Sequence, residues 1–202
     1  MMREFIEANR HETDAIRAYP FEEPRAYAQF LAQTRHYVVH STRLLAAAAA
    51  RIPEEREALH MRFLQHAAEE RSHHRLAEHD LRKLGRHIEQ FPELPATQAL
   101  YQSQYYRVEH QAPTALFGYI FMLEGLSVAH GAWIYERVLQ AHGKEAAAFV
   151  KLHANEDEDH LEKAFDVVGQ LEESELALIR ENYLFTCTIY RLFLEAAGSK
   201  AG

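Results

Sequence analysis

The chain has 202 residues, 48% of them hydrophobic, with a formal net charge of -8 and a mean hydropathy of -0.39. That is enough for one domain with a substantial core and too little for two. The acidic balance excludes a general nucleic-acid binder, because phosphate contacts need a basic face. No stretch reads as apolar for long enough to span a bilayer. Met1-Met2-Arg-Glu-Phe lacks the basic end and apolar run of a secretory signal, and Cys187, the sole cysteine, can form no internal disulfide. The expectation is a cytoplasmic protein that engages neither nucleic acid nor membrane.

Eight glycines and six prolines leave long uninterrupted stretches rich in Ala, Leu, Glu and Arg, so the expected fold class is all-α, as one domain over 1-202. A first helix covers about residues 2 to 18 and closes at Pro20. A second runs from Pro24 through the Ala46 to Ala50 tract to Pro53, the alanines reading as a closely packed face. A third extends from near Pro53 to Gly85, with Arg82 and Lys83 in its last turn as a helix C-terminus favours. A fourth covers about 96 to 110 and a fifth about 113 to 141. The sixth reaches about Gly169, and the seventh runs from Ser174, a candidate N-cap, to Gly198.

The sixth helix carries His153-Ala-Asn-Glu-Asp157-Glu-Asp-His160, which sets two imidazoles and a carboxylate on one stripe. That stripe is apolar at both ends, through Ala146 and Val150 before and Ala164 and Val168 after. Burying three polar groups in such a seam costs several kcal/mol unless something pairs with them, and a metal ion would do so. A solvated acidic face is the bland alternative.

The third helix repeats the pattern: Leu59, Phe63, His66, Glu70, His73, Ala77, Leu81 and Leu84 share one face. Glu70 and His73 form Glu-x-x-His, the spacing by which carboxylate-bridged di-iron bundles present a carboxylate and an imidazole to one centre, and Asp157-x-x-His160 is the same device with Asp. In the fifth helix Glu124 is the only carboxylate between Gln111 and Tyr135, in a run with no Lys or Arg. A helix apolar nearly all round is buried. Glu124 is then either a hydrogen-bonded core residue or a ligand. The candidate metal ligands are therefore Glu70, His73, Glu124, His153, Asp157 and His160. Oxygen and nitrogen donors without thiolate suit two Fe(II) ions, with Mn(II) or Zn(II) compatible.

His66 and Glu156 are spare candidates beside these, whereas Glu69, His74 and Glu158 are expected to face solvent. His36 and His40, four residues apart, could line a substrate pocket, supply a proton or hydrogen-bond in the core. Tyr105, Tyr106, Glu109 and His110 are expected to be structural, and Cys187 plain core.

Taken together, Glu69-Glu-Arg-Ser-His73 through Asp80 to Gly85, then Phe117 to Gly125 around Glu124, then His153-x3-Asp157-x2-His160, resemble the haem-oxygenase-like di-iron oxidases and oxygenases. These share a superfamily with haem oxygenase, thiaminase II and pyrroloquinoline-quinone synthase. The resemblance spans about residues 25 to 170. It implies a compact seven- to eight-helix haem-oxygenase-like bundle, with the six residues above as iron ligands and Asp80 supporting them from behind. It also implies oxidation of a small amino-acid-like or fatty-acid-like substrate by dioxygen; an electron donor and a homodimer are possible partners besides. Three alternatives stay open. They are a metal-free thiaminase-like or quinone-synthase-like enzyme, a haem- or metal-binding module using His36 or His40, and a ferritin-like bundle.

Overall fold

The computed structural model describes residues 2–9 and 13–200, without the side chains of 156–160. Among the described residues there are ten α-helices and no strand. They are α1 (Met2–Ala8), α2 (Thr13–Ala18), α3 (Pro24–Val38), α4 (Ser41–Ala50), α5 (Glu57–Glu69), α6 (His73–Lys83), α7 (Pro95–His110), α8 (Leu116–His142), α9 (Ala148–Val168) and α10 (Glu173–Ser199). Three of the seven expected helices are each split in two. The second breaks at Val39 and His40, and the third at Glu70 to Ser72; residues 10–12 lie between α1 and α2 and outside the described residues.

Local chemistry accounts for the ends. Pro24 and Pro95 occupy first helical positions, where a missing N–H costs nothing. Gly85 takes φ +70 and closes α6, with Arg86 N–H bonded to Leu81 O and Gly85 N–H to Arg82 O, both at 3.0 Å. Ser174 is not the cap of α10: Glu172 holds that position and the serine lies inside the helix. In the alanine tract Ala48 and Ala49 are buried, while Ala46 and Ala50 face solvent.

α8 is the central rod. By length and composition Pro113–His142 could cross a membrane, contrary to the sequence expectation, and 72% of that apolar window is buried inside the protein. Its partners are α9 and α10, with α4, α5 and α7 around them. Phe117 stacks on Phe63 of α5 (4.8 Å between centroids) and Phe121 on Phe165 of α9 (4.7 Å). These stacks fix the register of the three helices: His66 lies one turn beyond Phe63, and Glu124 one turn beyond Phe121.

Two glycines let α8 approach its neighbours. A Cβ on Gly131 would sit 3.0 Å from Ala154 Cα on α9, and one on Gly118 would sit 2.3 Å from Ile179 O and 2.7 Å from Tyr183 N on α10. The second contact is with backbone inside a helix further held by Asn182, whose side chain donates to Gln104 Oε1 (2.7 Å) and Ala115 O (2.8 Å). Gly118→Ala is therefore expected to cost ~3 kcal/mol or more of unfolding free energy, at or above the upper end of ordinary overpacking, as measured by urea unfolding.

Candidate metal centre

The polar interruption in the third helix coincides with a break in the helix itself. α5 ends at Glu69, Glu70 caps it, and Ser72 adopts φ 74, the only positive φ at a non-glycine among the described residues. A serine in the left-handed region costs about 1–2 kcal/mol, strain that recurs where side chains are held for a function. The turn directs α5 toward α4 and α6 toward α3 and α9. His66, Glu70 and His73 remain clustered across it. Glu70 Oε2 lies 3.4 Å from His73 Nδ1, and Glu70 Oε1 lies 3.8 Å from His66 Nε2.

α9 brings His153 to the same place. Its ring meets His73 edge to face, with centroids 5.2 Å apart, and packs against Phe149 at 4.2 Å. His153 Nδ1 lies 2.8 Å from Phe149 O; a donor at Nδ1 places the ring lone pair on Nε2, the form in which an imidazole binds metal. Glu70, His73 and His153 can each offer one ligand atom such that all three lie within 4.8 Å of one another. Donors about 2.0–2.2 Å from a common ion have that mutual spacing, so the set fits a divalent metal.

Asp80 sets the register between the two helices that supply the imidazoles. Fully buried on α6, it accepts the Phe149 N–H at 2.8 Å and so caps the N-terminus of α9, one turn before His153. Its other oxygen lies 3.0 Å from His79 Nδ1. Its contacts are with the α9 backbone and His79 and not with the ring of a candidate ligand. Burial raises the Asp80 carboxyl above its usual range, with the Phe149 and Ala148 N–H groups and His79 opposing. Arg62, buried on α5, pairs with Glu69, which also receives Lys163 of α9 at 3.2 Å, tying α5 to α9 beside the cluster.

Glu124 stands next to the three-donor set. Buried on α8, it accepts from His66 Nε2 at 2.8 Å. His66, ranked as a spare candidate from sequence, is thus the link between Glu124 and Glu70. Asp157 and His160 lie on α9 about one and two turns beyond His153, and their side chains are outside the described residues, as is that of Glu156. His36 and His40 do not line the cavity beside the cluster. His36 Nε2 bonds Phe91 O at 3.0 Å, while His40 stacks on Tyr101 and meets Tyr105 OH at 3.1 Å. Both are satisfied against the loop and helix that follow α6. The neighbouring polar cluster is structural too: Glu109 pairs with Arg51 and Tyr106 packs on His110. Glu69 pairs with two cations and His74 is half-buried, while Cys187 is buried.

The electrostatics follow from this packing. Burial opposes ionisation of Glu70, but the hydrogen bond from His73 and the imidazoles of His73, His66 and His153 outweigh it and hold the carboxyl at about 2. For His66 burial lowers the pKa, while Glu124 and Glu70 raise it by more, leaving it above 6.5. In the metal-free protein the His66 contribution to stability is therefore fully present below pH 6.5 and lost as pH rises through the raised value. Thermal melts should show wild type losing its advantage over His66→Gln across that interval. Metal uptake, which needs neutral imidazoles, should move the opposite way with pH.

His66, Glu70, Glu124 and His153 form the polar patch in the wall of a cavity of about 110 Å³. The rest of the lining is mainly apolar, including Leu44, Leu45, Ile120, Leu126, Ile134 and Val150. Sequence periodicity could show none of this, because the walls come from α3, α4, α5, α8, α9 and α10. The one available signal for His66 was its place on the Glu70 stripe.

Residues 28–188 match the model of a family described as iron-containing redox enzymes. The chain belongs to this family. No curated protein sequence matches it. Two solved structures share its haem-oxygenase-like architecture. One is a domain of unknown function with a haem-oxygenase-like fold from Shewanella denitrificans, 17% identical, covering 94% of this chain and 88% of that one at a TM-score of 0.81. The other is a TenA homologue from Pseudomonas syringae pv. tomato, 13% identical, covering 96% and 91% at a TM-score of 0.81. At such identities they establish the fold, an all-α haem-oxygenase-like bundle. Among the described residues, the Glu70, His73 and His153 cluster is a candidate site with donor chemistry that suits iron.

Proposed function

We propose that this member of the iron-containing redox enzymes is a non-haem di-iron oxidase or oxygenase acting on a small organic substrate with dioxygen. The observation that carries the reading is the convergence of Glu70, His73 and His153, two of which, Glu70 and His153, stand in the wall of a mainly apolar cavity. Glu70, His73 and His153 would hold one iron. Glu124, Asp157 and His160 are proposed to complete the second position. Iron, when bound, supplies the redox chemistry with dioxygen that side chains lack.

The chain's own share is positional. Phe149 O and Asp80 fix the rotamer and height of His153, and the buried, ionised Glu70 offers a carboxylate without proton competition. The apolar lining excludes water and favours the fatty-acid-like end of the expected substrate range over the amino-acid-like end, since the latter carries two charged groups that such a wall would desolvate.

The test is anaerobic Fe(II) titration of the metal-free protein, followed by oxygen consumption after mixing with oxygenated buffer. About two irons per chain and iron-dependent oxygen uptake are expected. A folded protein that binds no iron would sink the reading. It would leave the 2.8 Å His66–Glu124 pair as the acid–base unit of a metal-free enzyme resembling thiaminases or quinone synthases.

A further inference from the structure

Two buried tyrosines elsewhere in the bundle spend their hydroxyls on backbone carbonyls. Tyr19 donates to Ala26 O at 2.7 Å and Tyr27 to Ala146 O at 2.8 Å. Tyr119 is different. It is 4% exposed, it lines the cavity, and its hydroxyl has no hydrogen-bond partner among the described residues. An unmet buried hydroxyl costs about 1–3 kcal/mol. Packing does not demand it, since Phe117 and Phe121 fill the neighbouring positions of the same helix with plain phenyl rings.

The group stands near the polar patch, close enough to Glu70 to feel its charge. Burial, with Tyr37, Glu70 and Tyr105 adding to it, pushes the phenol well above its ordinary value of 10, so it stays a neutral O–H donor at any working pH. A cavity whose wall is mainly apolar thus offers, at Tyr119, a buried uncommitted donor near the proposed metal ligands. What enters must bring an acceptor to that place and an apolar remainder to the rest.

We propose that Tyr119 is a substrate-binding, specificity-determining residue whose hydroxyl donates to an acceptor-bearing head group, the substrate's apolar tail occupying the cavity beside Leu44, Leu126 and Ile134. This rests on the oxidase reading above, which puts the substrate in this cavity. The head group lies next to the iron ligands, which makes the bonds near the head the ones presented for oxidation. An amphiphile with a carboxylate or carbonyl terminus fits, and a donor-only ammonium terminus does not.

The experiment is anaerobic calorimetric titration of Fe(II)-loaded wild type and Tyr119→Phe with decanoate and with decylammonium, iron content and melting temperature being measured on each sample. Decanoate is expected to bind wild type and to weaken about ten- to a hundredfold in Tyr119→Phe, the scale of a hydrogen bond to a charged group. Decylammonium affinity, iron content and melting temperature are expected to be the same in both proteins. Unchanged decanoate affinity overturns the proposal, as does an equal loss for both ligands or a wild type that ignores decanoate. A lower melting temperature in Tyr119→Phe also overturns it, because the hydroxyl would then have an internal partner. Lack of iron in wild type counts against the metal centre alone. The decanoate comparison, repeated on the unloaded proteins, still decides the role of Tyr119, and no decanoate binding there overturns it too.

Discussion

Glu70→Ala is expected to lower iron affinity by more than about a hundredfold while leaving a folded bundle, and His153→Ala is expected to do the same. Glu70 is the residue through which the two halves of the centre meet. One of its oxygens faces His73 and the other faces His66, which in turn holds Glu124. Its loss removes a charged ligand from the three-donor set and the negative charge that three imidazoles surround. Even residues that only orient a ligand are worth about ten- to a hundredfold in metal affinity, so a direct ligand should exceed that range. The measurement is competitive titration against a chelator of known affinity, with helical circular dichroism as the control for folding. Retention of wild-type affinity by both variants would remove these residues from the centre. His36→Ala and His40→Ala, at positions outside the cavity lining and the three-donor set, serve as controls whose iron affinity should not change.

Asp80→Ala is expected to cost about 2–4 kcal/mol of stability and, separately, about ten- to a hundredfold in iron affinity. The carboxylate is the N-terminal cap of α9, supplied by α6, and it satisfies N–H groups that no water reaches. Removing it leaves those donors unpaired in the core and frees α9 to shift along α6. His153, one turn beyond the cap, then no longer meets His73 at the observed 5.2 Å. For a chain of this size the destabilisation corresponds to roughly 5–15 °C in melting temperature. Asp80→Asn should fall between, since an amide oxygen can keep one bond and carries no charge to desolvate. Because burial raises the Asp80 pKa, ionisation works against folding: the wild-type contribution falls as pH rises from 3.8 through the raised value and is constant above it. The two losses are separable, because metal affinity is read on the folded fraction at low temperature.

The helical class, the buried character of α8 and the stripe that carries Glu70 and His73 were legible in the sequence, because each depends on periodicity within one segment. Ala146, Val150, Ala164 and Val168 are buried as the stripe requires, and so are Leu59, Phe63, Ala77 and Leu81. The Glu70-x-x-His73 spacing could be read for the same reason, whereas its meeting with His153 joins two helices distant in sequence.

Tertiary structure decided the rest. The break at Ser72 has no proline or glycine to announce it, and it lets α5 pack mainly on α4 while α6 packs mainly on α3. The rank of His66 depended on whether α8 would set Glu124 against it, a matter of how Phe63 and Phe117 stack. Asp80 looked like a ligand's companion and proved to be a helix cap, because its partner is a backbone N–H sixty-nine residues away. His36 and His40 share a helical spacing with candidate ligands, yet α3 and the break after it bring them to Phe91 O and the Tyr105 hydroxyl. The cavity, with Tyr119 in its wall, exists only where six helices meet. A single chain segment records which residues share a face, and only packing determines what that face is turned toward.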